Sequence, residues 1–160
     1  MNRSNGFTLV ELMVALTVLA ILIAVGIPGF NQFVQGQRTA TQVNDFIAAV
    51  NLARSEALSR GRPAGLRSMD GDFNTGFQLW LDGNSDGDYV DPEDELLRDY
   101  EPVLLATLTV SADPLNFLAS GWLGGAYQVT VLANNCKQQN NRTINITRTG
   151  GVEVIRNNCP

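Results

Sequence analysis

Gly6-Phe7-Thr8-Leu9-Val10-Glu11, followed by an uncharged run over residues 12–27, decides how this chain is read. A short polar leader carrying Arg3 precedes it. A secretory signal places its small-residue cut site after the apolar core. Here the glycine stands before the core, so a cut at Gly6 leaves the apolar segment on the product. Residues 7–30 number 24, about 36 Å as a helix at ~1.5 Å per residue. A hydrocarbon core of about 30 Å is crossed by that length. Glu11 is the anomaly, because a carboxylate in a membrane helix costs several kcal/mol and marks a functional position.

Outward from this segment the helical period continues. Val43, Phe46, Ile47, Val50, Ala53, Ala57 and Leu58 recur at three- and four-residue steps, with Gln42, Asn44, Asp45, Asn51 and Ser55 between them. Gly61 and Pro63 predict the stop. From Ala64 the pattern turns to β, with strands expected at 76–81, 96–100, 103–110, 127–132, 142–147 and 152–156. Thr149-Gly150-Gly151 is a hairpin signal before the last of these. A long N-terminal helix packed on antiparallel strands is an α+β fold.

The 160 residues are 44% hydrophobic and 17% charged, a globular composition. Histidine is absent and there are two cysteines, which excludes a four-ligand Cys/His zinc site and catalysis by a serine-histidine or cysteine-histidine pair. No nucleophile-base pair or cofactor loop stands out, so an enzyme is not expected. The net charge of −5 argues against a general nucleic-acid binder. That charge is local: residues 70–101 carry eleven acids against Arg98 alone, while the flanking segments are net positive.

Gly6 through Glu11, with the apolar run and Pro28 near its end, resembles the processing site of type IV pilins and of type II secretion pseudopilins. Further motifs are similar to the GspH/FimT branch: Leu52-Ala53-Arg54-Ser55-Glu56-Ala57-Leu58-Ser59-Arg60-Gly61, Gly76-Phe77-Gln78-Leu79-Trp80-Leu81-Asp82, Glu95-Leu96-Leu97-Arg98, and Ile144 through Val152. The resemblance implies a leader (1–6) removed between Gly6 and Phe7, with Phe7 N-methylated. It implies a membrane and filament-core helix (7–30) and a periplasmic globular domain (31–160). Within that domain the amphipathic helix is placed at about 31–60 and the β-rich part at 64–160. Glu11 would meet the N-terminal amine of a neighbouring subunit, since buried charges persist when paired. Pro28 is the expected helix break.

The resemblance also implies a minor type IV pilin that helps initiate or cap a pilus. The alternatives are a minor pseudopilin of type II secretion and a DNA-binding competence pilin. Partners would be other pilins or pseudopilins, a prepilin peptidase and an assembly platform, with a single pass through the bacterial inner membrane. Outside that membrane a Cys136–Cys159 bridge would persist. The DNA-binding Gly-Arg-x-Arg motif of some FimT-like pilins aligns here with Gly150-Gly151-Val152-Glu153, which has neither arginine. Lys137, Arg142, Arg148 and Arg156 remain nearby but read as solvated strand and loop positions; phosphate contacts need convergent cations, so nucleic acid is not an expected partner.

Asp82-Gly83-Asn84-Ser85-Asp86-Gly87-Asp88-Tyr89-Val90-Asp91-Pro92-Glu93 fits the EF-hand loop pattern. Asp82, Asn84, Asp86 and Glu93 would offer side-chain oxygens to calcium, and Asp88 a carbonyl. The preceding strand and Pro92 argue for a solvated hairpin loop instead, with Asp, Asn and Gly serving the turn. In both readings Asp82 and Glu93 are loop positions whose loss leaves the fold intact.

Overall fold

The computed structural model describes residue 8 to residue 89, 91–104, 106–134, 136 and 140–160, with the backbone alone at 28, 29, 31, 32 and 35. Two compact units result, the first ending at Gln35 and the second Gly36–Pro160.

Helix α1 is Leu9–Arg60. It is assigned without interruption across Pro28, where a break is expected from the sequence. Proline removes one amide donor from the ladder, and the hydrogen bonds of the turns on either side are enough to carry the helix past it. The helix ends where glycine permits: Gly61 has φ +65°, the left-handed conformation of a C-terminal cap.

Eight strands follow, β1 (Ala64–Ser68), β2 (Phe77–Leu81), β3 (Glu95–Tyr100), β4 (Ala106–Val110), β5 (Leu115–Phe117), β6 (Tyr127–Ala133), β7 (Asn141–Ile146) and β8 (Val152–Asn157). They form two antiparallel four-stranded sheets, ordered β3-β2-β1-β5 and β4-β6-β7-β8. The α+β class is the observed one. Residues 103 and 104 lie outside β4, so the strand expected at 103–110 is shorter. β1 and β5 have no counterpart among the specific strands read from sequence. Phe73–Thr75 is a 3-10 turn whose N-cap is Asp72, which accepts from the amide of Asn74.

One core joins the helix to both sheets. Val43, Phe46, Ala49, Val50, Ala53 and Ala57 of α1 share it with Leu66 and Leu79 of the first sheet and Val129, Val131 and Ile144 of the second. Ala49, Ala53 and Ala57 are fully buried at four-residue steps; small side chains there let the helix backbone approach the sheets closely. Leu58, read as part of the apolar stripe, is 51% exposed. It follows Ala57 by one position and so turns about 100° away from the core face.

Candidate functional site

At the start of α1, Thr8 and Glu11 cap each other. The Thr8 amide and hydroxyl both donate to Glu11 Oε2 at 2.9 Å, and the Glu11 amide donates to Thr8 Oγ1 at 3.2 Å. This is the reciprocal Thr-x-x-Glu capping box. Glu11 thus fixes the helix start as well as carrying its charge. Gly6 and Phe7, the expected processing pair, lie outside the described residues. The segment Leu9–Ile27 is long and apolar enough to cross a membrane, and its large side chains are exposed.

Cys136 and Cys159 are bonded, with Cα atoms 5.6 Å apart. The bridge fastens the residues after β8 to the connection between β6 and β7.

The acidic loop between β2 and β3 closes on its own amides. Asp82 is fully buried, and its carboxylate accepts from the amides of Ser85 and Gly87. Asp86 accepts from the Asp88 amide at 2.8 Å and from Asn84 Nδ2 at 2.9 Å. Those bonds hold the Asp86 carboxyl below its usual range. Asp88 accepts from the Tyr89 amide at 2.7 Å. Asp94, not singled out by the sequence pattern, ties the loop's ends by accepting from Gly83 at 2.9 Å and from Asp91 at 3.0 Å. A side chain at Gly83 would collide with the Glu93 carbonyl, so only glycine fits that closure. Among the described residues, no three His, Cys, Asp or Glu side chains gather in a way that could hold a metal ion. The oxygens expected for calcium are turned largely to backbone amides.

Tyr89 is a second residue the pattern missed. It is 2% exposed within an otherwise polar loop and anchors it to the first sheet. Burial, then the charges of Asp82 and Asp94, push its phenol up from the ordinary tyrosine value. An aromatic among eight carboxylates was the available signal. Asp91 is also raised, first by desolvation and then through its contact with Asp86.

Of the C-terminal cations, two are brought together. Arg142 on β7 faces Arg156 on β8 across the ladder; burial, followed by the Arg156 charge, lowers the Arg142 pKa. Arg148 is exposed at the hairpin, whose turn is closed by Gly150 N–H to Thr147 O at 2.8 Å. Lys137 lies outside the described residues.

An open groove of about 490 Å³ flanks α1. Phe46, Leu52 and Phe77 floor it, and Asp45, Asp99 and Glu101 stand around it. The Tyr100 ring stacks on Phe77 at 4.5 Å, with the Arg98 guanidinium 5.1 Å from its centroid. Gln42 Nε2 donates to the Leu104 carbonyl.

A capped apolar helical segment, and a helix packed in the core of two antiparallel sheets, are the parts of a type IV pilin-like subunit. The model of the family described as type II transport protein GspH matches residues 42–150, more than half of the chain, and that of the prokaryotic N-terminal methylation motif matches residues 1–27. The chain belongs to the GspH family of minor pilins and pseudopilins, whose members are structural proteins.

Solved structures share the fold. The type IV minor pilin FimU of Pseudomonas aeruginosa superposes with a TM-score of 0.58 at 22% identity, over 79% of this chain and 92% of that one. The minor pseudopilin EpsH of Vibrio cholerae superposes with a TM-score of 0.55 at 13% identity, over 74% and 97%. Among curated proteins, the type IV major alpha-pilin of Moraxella bovis is 36% identical over 62 residues, 39% of this chain and 38% of the relative. Prepilin peptidase-dependent protein D of Escherichia coli K12 is 34% identical over 74 residues, 46% and 49%. The chain spans about half or less of the length of these curated relatives.

Proposed function

We propose that this protein is a minor subunit of a type IV pilus that helps initiate or cap filament assembly. In this reading Leu9–Ile27 holds it in the bacterial inner membrane, and the β-rich unit stands in the periplasm until assembly. The observation that carries the reading is an exposed apolar helix with a capped glutamate at its start, on the same chain as a disulfide-closed β unit. Such a helix needs either lipid or the helices of other subunits around it. Glu11 gains most from the second, where a neighbour's amine pairs with it. Peptidase cleavage between Gly6 and Phe7 supplies that amine. The disulfide supports an oxidising compartment for the β unit.

The family model's description favours a second reading, a minor pseudopilin of type II secretion. Deletion of the gene separates the two. Loss of piliation and twitching with normal secretion supports the pilus reading, whereas loss of secretion with normal piliation refutes it. DNA uptake scored in the same strain tests the competence alternative.

A further inference from the structure

We propose that β8 receives an extended strand from a different subunit of the filament, one that sets a carboxylate against Arg156. The inference rests on the filament-subunit reading and deepens it by naming the surface and the chemistry of its partner.

Two four-stranded sheets have four edges, and three of them are managed within the chain. An open edge presents a row of free N–H and C=O groups to any passing strand. At β4 the Asn74 side chain stands in for a strand: its Nδ2 donates to Leu108 O at 3.0 Å and its Oδ1 accepts from the Leu108 amide at 2.6 Å. β5 is bridged on its outer side by Leu123, and the Leu118 amide donates to Trp122 O at 2.8 Å. β3 carries Glu95, Arg98 and Asp99, charges of the kind that discourage pairing, and Arg60 holds Glu95 at 2.7 Å.

β8 is different. Its six residues pair with β7 without a bulge, and among the described residues nothing bonds to the outer side of its backbone. The Thr147 amide donates to Gly151 O at 2.9 Å, and the register runs on from there without a shift. By the alternation of an antiparallel ladder, Glu153, Ile155 and Asn157 turn their backbone groups to β7, while Val152, Val154 and Arg156 turn theirs outward. Val154 and Ile155 are 42% and 39% exposed, on opposite faces. A strand laid on this edge would satisfy the outward groups and cover an apolar side chain on each face of the sheet.

Charge selects the partner. Arg156 stands directly opposite Arg142, in a pair of the closely spaced, non-hydrogen-bonded kind. Like charges so placed repel, and Arg156 makes no ion pair among the described residues. The next position in this row belongs to the incoming strand, and a carboxylate there answers the repulsion. A second β8 cannot supply it. Opposed residues of an antiparallel pair share a face, whereas Glu153 and Arg156 lie on opposite faces, so Glu153 of one copy never opposes Arg156 of another. A six-residue strand is only about 20 Å long, and its edge buries far less than the roughly 1,200 Å² of a stable interface. The contact therefore joins subunits that their apolar helices already hold side by side, where effective concentration is high.

The test uses the full-length chain in its own cells, with Glu153→p-benzoylphenylalanine as photoprobe and Arg156 left in place. Irradiation should link it to another filament subunit through a peptide that contains Asp or Glu. Val154→Pro removes an outward amide and spares the ladder to β7, so it should lower the yield roughly fivefold or more with the Cys136–Cys159 bond intact. Arg156→Glu, which leaves the backbone alone, should do the same, and exchanging the linked carboxylate for lysine should restore the link. If Val154→Pro fails to form the disulfide, Arg156→Glu with its rescue decides alone. A link to a second copy, to nucleic acid or to a peptide without a carboxylate, or a yield indifferent to either folded variant, overturns the proposal. Recovery of the chain in sheared filaments without the link refutes this contact alone; absence from filaments refutes the filament reading itself.

Discussion

Asp82→Ala should unfold the acidic loop and weaken the whole β unit, contrary to the expectation that a loop aspartate is dispensable. The side chain is fully buried and holds two amides, those of Ser85 and Gly87. A hydrogen bond to a charged group contributes about 1.5–3 kcal/mol. Alanine removes both and leaves the amides to find water in a collapsed loop. Allowing for relaxation, the loss is on the order of 3 kcal/mol. For a domain of this size that lowers the melting temperature by roughly 10 °C. Circular dichroism on the oxidised unit Gly36–Pro160 measures it, in EDTA so that no cation contributes. Asp82→Asn, which keeps one acceptor oxygen, should fall between alanine and the native protein. An alanine variant melting within about 2 °C of the native unit would refute the reasoning.

Cys136→Ser with Cys159→Ser opens a loop whose cysteines are 23 positions apart, at a cost of about 3 kcal/mol by chain entropy, read as a melting shift against the oxidised protein. Asp91→Asn should stabilise the unit at neutral pH. Desolvation and the neighbouring Asp86 raise the Asp91 carboxyl above the ordinary aspartate range, so its favourable contribution is present below the unfolded-state pKa and lost as pH rises through the folded one; the variant's advantage must therefore vanish in acid. Millimolar calcium should leave the melting temperature unmoved, because the Asp82 and Asp86 carboxylates already serve amides; a shift of several degrees abolished by EDTA would restore the calcium reading. Intact mass of the protein from cells with an active prepilin peptidase should correspond to a chain beginning at N-methylated Phe7, and an uncut N-terminus contradicts the processing reading.

The elements with strong period or strong punctuation were legible in the sequence. Helix α1 stops at Gly61 as its glycine and proline demand, and β6, β7 and β8 fall where Val, Ile and Thr alternate. The Cys136–Cys159 pairing follows from the family resemblance and is present. β5 is three residues long, too short for alternation to register. β1 contains Gly65 and Arg67, and its place between β2 and β5 is set by non-local pairing. Asp82 reads as solvated because an Asp-Gly-Asn-Ser run normally is; its burial comes with the loop folding back so that the Ser85 and Gly87 amides reach its carboxylate. Glu11 was legible as an anomaly, but its cap with Thr8 was not drawn from the Thr-x-x-Glu spacing that encodes it.

The bridge from Cys136 to Cys159 changes how the last strand can come apart. β8 pairs with β7 alone and stands at the sheet edge. An edge strand next to a chain end ordinarily unzips from its loose tip, one ladder bond at a time. Here the tip is tethered to the β6–β7 connection and the other end to the hairpin at Gly150. Release then requires the strand to lift as a unit, so exchange of the amides of Val152–Asn157 that donate to β7 should be uniformly slow in the oxidised protein and graded from the C-terminus in the reduced one; the alternate amides, which face away from β7, exchange fast in both.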